Sequence, residues 1–239
     1  MQNELTDRDH WANYWSNYKY EKIPAKTIYD KYIHNLKGDS FIEIGGFPGI
    51  NAAYFYKKIC KDVTLLDFYV DKAIVGKFEQ INSIPTGSIK CIESDFFLFE
   101  GARTYDIVFS MGFIEHFENT KDVIDRHIRL LSDTGRLLII LPNLRGLNGC
   151  VQWLFDRKNL YSHNLESMKI DNLKTILKLS GLPIWKVEYT RKPMVWLEPK
   201  AGVQNAIMRK LIKGFSYFIK LFPIKSRLFS PYIILTASR

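Results

Sequence analysis

Short apolar runs and longer amphipathic stretches alternate along residues 40–143. The apolar runs predict five strands, at residues 41–46, 63–68, 89–95, 105–112 and 135–142. Between them, residues 50–59 and 122–132 carry apolar side chains at the spacing of a helix. Because helices cover both faces of a parallel sheet, this alternation predicts repeated βαβ units and a mostly parallel sheet.

The C-terminal part of the chain adds two more strand candidates, at residues 184–191 and 231–238. We therefore predict one α/β domain over residues 1–239, with a doubly wound, Rossmann-like sheet of seven strands, most of them parallel. Residues 203–222 lie between the last two strands and have apolar residues at helical spacing. Lysines interrupt every apolar run there well before the ~20 residues that span a bilayer, which predicts a helical insertion rather than a transmembrane helix.

The net charge of +9 is concentrated at the C-terminal end of the chain. Residues 1–198 have 26 basic against 25 acidic residues, a net of +1, whereas residues 199–239 have the other 8 basic residues and no acid. A domain that binds a duplex normally spreads its Lys and Arg residues over the binding face. Nucleic acid is therefore not expected as a partner.

Two interpretations of this basic segment remain open. Residues 191–230 are predicted to form an insertion that covers the substrate, and residues 1–37 to form an N-terminal helical cap. The helix at 203–222 has basic residues on one face and large apolar residues on the other, namely Arg209, Lys213 and Lys220 against Phe215, Phe218 and Phe222. Such a helix either packs on the domain with a solvated basic rim or contacts an anionic membrane surface.

The cysteines and the N-terminus indicate the compartment. Cys60, Cys91 and Cys150 have no paired spacing, so a reducing environment is expected. The first 20 residues lack the apolar core of a signal peptide. We therefore expect a cytoplasmic protein, in peripheral contact with the membrane if the basic segment binds lipid.

A glycine-rich turn follows the first predicted strand. The strand ends in Glu43, the chain then passes Gly45, Gly46 and Gly49, and a helix begins. Glycines let a backbone approach a ligand closely and adopt positive φ angles. An open α/β sheet places its nucleotide crevice at such a turn. The alternative is a tight strand-to-helix turn without a ligand.

Acidic residues also end the second and third strands. Asp67 stands 24 positions after Glu43 and is suited to accept hydrogen bonds from both ribose hydroxyls of an adenosine. Asp95 ends the third strand, and Phe96 and Phe97 follow it as an aromatic wall for an adenine. Each acid could instead cap a helix, but acids at three successive strand ends favour a nucleoside site.

These motifs resemble those of the class I S-adenosylmethionine-dependent methyltransferases, especially the small-molecule branch that includes ubiquinone-biosynthesis and natural-product enzymes. The resemblance covers residues 38–143, and the closing YIILTASR resembles the last, antiparallel strand of that family. In the family an acid is followed by glycines at every second position. Here Phe47 replaces the middle glycine, and Gly46 stands one position earlier.

The resemblance implies S-adenosylmethionine as cofactor, a ribose contact from Asp67 and an adenine contact from Asp95. The full implied set of cofactor-binding residues is Glu43, Gly45, Gly46, Gly49, Asp67, Phe68, Asp95, Phe96, Ser110 and Met111. Family members often have a Glu-His pair after the fourth strand, and Glu115 and His116 stand there. His116 is the candidate base, because imidazole accepts a proton near neutral pH, although a structural role is the alternative.

The absence of certain sequence motifs narrows the class of methyl acceptor. No Asn-Pro-Pro-aromatic or Asp-Pro-Pro-aromatic run follows the fourth strand, which disfavours methylation of nucleobases. His34, His127 and His163 have no spacing that suggests a metal, so no metal site is predicted. We expect methyl transfer to an oxygen, in preference to a nitrogen, of a small molecule or of a glycan or lipid precursor.

Two other functions stay open at this stage. A NAD(P)-dependent reductase would also use a glycine loop and an acid after the second strand, but its loop has the pattern G-x-G-x-x-G, which Gly45, Gly46 and Gly49 do not follow. A non-catalytic, membrane-associated module on a methyltransferase-like fold would draw its function from the basic segment.

Overall fold

The apolar runs form one seven-stranded sheet in the computed structural model, which describes residues 15, 20–34, 36–101, 103–190, 192–197, 203–221 and 224–239. The strands are β1 (Ser40–Ile44), β2 (Asp62–Asp67), β3 (Ile89–Glu93), β4 (Tyr105–Met111), β5 (Leu131–Pro142), β6 (Ile184–Tyr189) and β7 (Tyr232–Ser238). Their order in the sheet is β3-β2-β1-β4-β5-β7-β6. Of these seven described strands, only β7 runs antiparallel to its neighbours. The predicted mostly parallel sheet with an antiparallel last strand is confirmed.

Helices form in both predicted stretches, residues 50–59 and 122–132, and in most other connections between the strands. They are α1 (Asp30–Ile33), α2 (Ile50–Lys58), α3 (Lys72–Ile81), α4 (Thr120–Arg129), α5 (Leu147–Phe155), α6 (Arg157–Tyr161), α7 (Ile170–Leu179) and α8 (Val203–Ile219), and a 3₁₀ turn spans Ile114–His116. The predicted bounds of α4 and β5 were wrong. Asn119 caps α4 by accepting a hydrogen bond from the Asp122 amide at 3.2 Å, and Leu131 already pairs with Tyr105 in the sheet.

The two faces of the sheet are covered by different helices, as a doubly wound fold requires. Alternate strand residues such as Ile42 and Val108 pack with α4 and α7 on one face. Their neighbours Phe41 and Ile107 pack with α2 and α3 on the other face. These strand residues are fully buried, which explains why the strands are continuous apolar runs in the sequence.

The strand order reverses at β1, which lies between β2 and β4. In an open α/β sheet, ligands bind outside the carboxyl ends of the strands at such a switch point. The glycine turn after β1 and the Glu-His pair after β4 both lie at this edge. The topology therefore brings the predicted cofactor loop and the predicted catalytic residue together.

The insertion between β6 and β7 contains α8, as predicted. Its buried residues Ile212 and Ile219 pack with Val195 and Leu197, which belong to the segment before the helix. Among the described residues, no helix is long and apolar enough to cross a membrane. Of the predicted N-terminal cap, residues 1–14, 16–19 and 35 lie outside the described part of the chain.

Candidate active site

Glu43 at the end of β1 braces the glycine turn. Its carboxylate is fully buried and accepts hydrogen bonds from Asn51 Nδ2 and from the Ala52 amide, both at 2.7 Å. Both donors belong to the first turn of α2, so Glu43 fixes the start of that helix against β1. Burial raises the pKa of the Glu43 carboxyl to about 8, against the effect of these two hydrogen bonds.

The position of Gly46 follows from the Glu43 side chain. A Cβ atom at residue 46 would overlap the Glu43 carboxyl group, so only glycine fits there. Gly45 and Gly49 have φ angles of 67° and 94°, in the region that favours glycine. Glycine at 46 thus makes room for the bracing carboxylate, and the backbone around Phe47 needs no glycine.

Asp67 at the end of β2 holds the same loop from the other side. One carboxylate oxygen accepts a hydrogen bond from the Phe47 amide at 2.9 Å, and the other accepts one from the Tyr69 amide at 3.1 Å. A carboxylate has about four lone-pair sites, so Asp67 keeps acceptor capacity for ribose hydroxyls. Burial raises the pKa of this carboxyl to about 6. The Phe47 ring lies between Trp15 and Tyr69, with edge-to-face contacts at centroid distances of 5.5 and 5.4 Å.

The residues predicted for the adenine end lie after β2 and β3. Phe68 is half-buried next to Asp67. Asp95 accepts a hydrogen bond from the Phe97 amide at 2.7 Å, which orders the turn after β3. Phe96 is 6% exposed and belongs to the core of the sheet, so its side chain contributes packing beside the crevice.

Ser110 and Met111 at the end of β4 have different environments. Ser110 is fully buried, and its hydroxyl donates to His127 Nε2 at 3.0 Å. The direction follows because His127 Nδ1 donates to the Val123 carbonyl oxygen at 2.7 Å. Burial lowers the pKa of His127 to about 4, so this ring is neutral at pH 7. Met111 instead lines the pocket described next.

A pocket of about 390 Å³ opens at the switch point. Of the predicted cofactor-binding residues, Glu43, Gly45, Gly46 and Met111 line it. Within the described part of the chain, its lining does not include Gly49, Asp67, Phe68, Asp95, Phe96 or Ser110, which lie in the loop, at the neighbouring strand ends or in the core. Trp15 and Trp196 line the pocket from the N-terminal region and from the insertion.

The lining of the pocket also contains Glu115, His116 and His163. The two imidazole rings lie with their centroids 4.9 Å apart. His163 Nδ1 donates to the Asn159 carbonyl oxygen at 2.6 Å, and burial lowers the pKa of this ring. Glu115 is 1% exposed, and burial raises the pKa of its carboxyl to about 8. The wall can therefore accept a proton or bind a polar acceptor.

The segment that follows α6 is fixed against the turn that carries His116. The Asn164 amide donates to the Glu115 carbonyl oxygen at 2.7 Å, and Asn164 Nδ2 donates to the Phe117 carbonyl oxygen at 2.8 Å. These bonds hold His163 beside His116 although 47 positions separate them in the sequence. The sequence contains no signal for this contact. Asn51, which also lines the pocket, could have been predicted from its place in the first turn after the glycine loop.

Comparisons with known proteins identify the family and the fold of the chain. A family model described as "Methyltransferase domain" matches residues 14–187. No curated protein sequence matches the chain. Many solved structures share its fold, including a SAM-dependent methyltransferase from Archaeoglobus fulgidus with a TM-score of 0.57 and 16% identity, over 88% of this chain and 91% of that one.

Two further structures illustrate the range of relatives. N-methyltransferase NodS from Bradyrhizobium japonicum, in complex with S-adenosylhomocysteine, has a TM-score of 0.54 and 13% identity, over 99% of this chain and 94% of that one. Phosphoethanolamine N-methyltransferase 2 from Haemonchus contortus has a TM-score of 0.60 and 15% identity, over 89% of this chain and 51% of that one. The chain therefore belongs to the methyltransferase domain family, and its fold is that of the class I S-adenosylmethionine-dependent methyltransferases, as the sequence motifs predicted.

Proposed function

We propose that the protein transfers the methyl group of S-adenosylmethionine to an oxygen, in preference to a nitrogen, of a small molecule or of a glycan or lipid precursor. The observation that carries this proposal is the pocket that joins the glycine loop at Gly45 and Gly46 to the histidine wall at His116. The cofactor would lie along the loop with its ribose at Asp67 and its adenine near Asp95. The acceptor would enter from the side of the histidines.

In this reaction a lone pair of the acceptor oxygen attacks the methyl carbon, and the carbon–sulfur bond breaks towards sulfur. The products are the methylated acceptor and S-adenosylhomocysteine. Most of the rate enhancement comes from alignment of the acceptor with the methyl group. A hydroxyl must also lose its proton, and His116 promotes that loss on the acceptor side of the pocket. Since an amine acceptor depends less on a base, this wall favours oxygen.

Calorimetric titration of the full chain with S-adenosylhomocysteine and with NADPH tests the proposal. We expect one S-adenosylhomocysteine per chain and no saturable binding of NADPH. Binding of NADPH alone would favour the reductase, and binding of neither would favour the non-catalytic module. A parallel incubation with methyl-labelled S-adenosylmethionine and separate lipid and aqueous extracts of the source cells then identifies the acceptor class, and label on nitrogen would overturn the preference for oxygen.

The insertion at residues 191–230 is proposed to cover the acceptor. Trp196 stacks on Tyr232 at a centroid distance of 5.4 Å, and both line the pocket. Trp196 also lines a second cavity of about 450 Å³, which runs between residues 194–197 and α8. Basic side chains of α8, including Arg209 and Lys213, border this cavity. The insertion thus connects the reaction pocket with a basic surface.

Helix α8 has three faces. Its buried face includes Ile212, Ile219 and Ser216, and the Ser216 hydroxyl accepts a hydrogen bond from the Val195 amide at 3.2 Å. The basic face holds Arg209, Lys210 and Lys213, and Lys220 follows just after the helix. The third face is apolar and exposed. Its residues Ile207, Leu211, Phe215 and Phe218, together with Leu221 just after the helix, are between 46% and 72% exposed, while Phe222 lies outside the described residues.

The exposed apolar face of α8 favours membrane contact over simple packing. Among the described residues, the apolar packing of α8 on the domain comes from Ile212, Ile219 and Met208, so it does not account for Leu211 and Phe215. We propose that this apolar face enters the headgroup region of an anionic membrane while the adjoining basic face pairs with lipid phosphates. A lipid precursor would then reach the pocket past Trp196.

Sedimentation with vesicles tests this contact. We expect binding to vesicles that contain acidic lipid, little binding to neutral vesicles, and release at high salt, because each basic residue contributes about 1 kcal/mol near an anionic surface. Replacing Leu211 and Phe215 by serine should weaken binding at least about tenfold, since each removes part of the ~1.5–3 kcal/mol of a large apolar side chain. Leu98→Ser, at a residue that is 76% exposed outside α8, is the matched control. If the protein sediments with neither vesicle type, or shows no salt-sensitive preference for acidic lipid, the proposed contact with an anionic membrane is wrong and α8 is only a cover of the pocket.

A further inference from the structure

We propose that Glu115, His116 and His163 bind a divalent transition-metal ion in the wall of the pocket. One ligand atom from each residue lies within 4.8 Å of the other two. All three residues line the same pocket as Gly45 and Gly46 of the glycine loop. The inference rests on the proposed function, because the cation would act on the acceptor of that reaction. It also departs from the sequence-based expectation of no metal.

The donor set suits zinc and chemically similar cations. Two imidazoles and one carboxylate are the protein ligands of many catalytic zinc sites, in which a fourth position stays open for water or substrate. Magnesium and calcium prefer oxygen ligands, so this set discriminates against them. Since the three residues line the pocket, the open position would face the acceptor.

The Glu115 carboxyl group provides an independent indication of a ligand. Its Oε2 atom is buried and has no hydrogen-bond partner among the described residues, and the whole residue is only 1% exposed. Buried polar atoms are nearly always paired, because an unpaired one loses its hydration without compensation. A cation at this place would pair with the oxygen. No protein group within the described residues does so.

The orientation of His163 is also that of a metal ligand. Its Nδ1–H donates to the Asn159 carbonyl oxygen at 2.6 Å, which leaves the lone pair of Nε2 for a cation. Histidines that bind metals usually donate their other ring nitrogen in this way, and the bond fixes the tautomer and the ring plane. The contact of Asn164 with the Glu115 carbonyl oxygen holds the two ligand-bearing segments together.

The cation would assist the same methyl transfer. An acceptor hydroxyl at the open position would have a lower pKa, so its proton would leave to water and its oxygen would attack the methyl carbon. Nothing is oxidised or reduced in this step. When the cation is bound, His116 acts on the acceptor through it, and in its absence the imidazole itself is available to accept the proton.

Zinc titration of the metal-free full chain, saturated with S-adenosylhomocysteine, tests the site. We expect one Zn²⁺ per chain by calorimetry, a visible absorption band on replacement by Co²⁺, and no comparable binding of Mg²⁺. His163→Ala should weaken Zn²⁺ binding at least about tenfold. His34→Ala removes an exposed histidine that does not line the pocket, so it should leave Zn²⁺ affinity unchanged. Retained S-adenosylhomocysteine affinity shows that each variant is folded.

The failures of the two proposals are distinguishable. If wild-type protein binds no zinc with saturation, or if His163→Ala binds it as tightly as His34→Ala does, the metal site is wrong. The proposed function would then stand as long as S-adenosylhomocysteine binds. If S-adenosylhomocysteine does not bind, the proposed function is wrong, whatever the zinc titration shows.

Discussion

Replacing His116 by alanine is expected to lower the turnover of methyl transfer by about 10²–10⁴-fold, the usual contribution of a positioned group that takes up a proton. The affinity for S-adenosylhomocysteine should stay close to that of the wild type, because His116 belongs to the turn after β4 and not to the glycine loop or the end of β2. The measurement is single-turnover transfer of labelled methyl to the acceptor found in the extracts, together with calorimetry. His34→Ala is the matched control, since it removes a histidine outside the pocket.

The loss of turnover has the same direction whether His116 takes the proton itself or holds a cation. His163→Ala separates the two cases, because a base that works alone needs no second histidine. Equal turnover in wild-type protein and His116→Ala would show that alignment of the acceptor with the methyl group supplies the rate. That result would contradict the assignment of His116 as a catalytic residue.

The strands of the sheet could be predicted because the pattern that marks each strand lies in consecutive residues of the sequence. Strands that are buried on both faces are continuous apolar runs, so β1 and β4 were recognised within two residues of their ends. The border between α4 and β5 was wrong for a physical reason. The ladder between Leu131 and Tyr105 begins before the apolar run of β5 does, and pairing between distant residues leaves no local pattern.

The glycine motif predicted where the cofactor loop lies, but it did not explain why glycine is needed at position 46. The departure at Phe47 looked like a defect of the glycine pattern, but the structure shows that Gly46 is needed by the Glu43 side chain. This requirement involves two residues that are three positions apart, and the glycine motif alone does not express it. Asp67 was predicted from its place after β2, whereas its hydrogen bond to the Phe47 amide depends on the folded loop.

Of the three residues Glu115, His116 and His163, only the first two could be placed at the pocket from the sequence. Glu115 and His116 follow β4 directly, so their place at the edge of the sheet was accessible from the sequence. His163 reaches them through hydrogen bonds of Asn164 to the backbone of residues 115 and 117. Insertions between strands follow no general pattern, so a ligand or catalytic partner that an insertion supplies is visible only in three dimensions.

Replacing Asp67 by alanine should weaken S-adenosylhomocysteine binding by about 1.5–3 kcal/mol, or roughly 10- to 150-fold in Kd, because charge-assisted hydrogen bonds to the ribose are lost. The same substitution removes the acceptor of the Phe47 amide, so a disturbed loop is a competing cause. The 2′-deoxy analogue of the ligand separates the two causes. If Asp67 binds the ribose, the variant should lose most of the preference for S-adenosylhomocysteine over the 2′-deoxy analogue. If the loop is only disturbed, the affinity for both ligands should fall by the same factor.

The pH dependence provides a second check on Asp67. Burial raises the pKa of its carboxyl to about 6, so the group is charged at pH 7 and becomes protonated as the pH falls through 6. The protonated form is the weaker acceptor for ribose hydroxyls, and wild-type affinity for S-adenosylhomocysteine should therefore fall between pH 7 and pH 5. Calorimetry across this range should show a much flatter profile for Asp67→Ala. If both proteins lose affinity in parallel, another group causes the pH dependence, and the ribose contact of Asp67 loses this support.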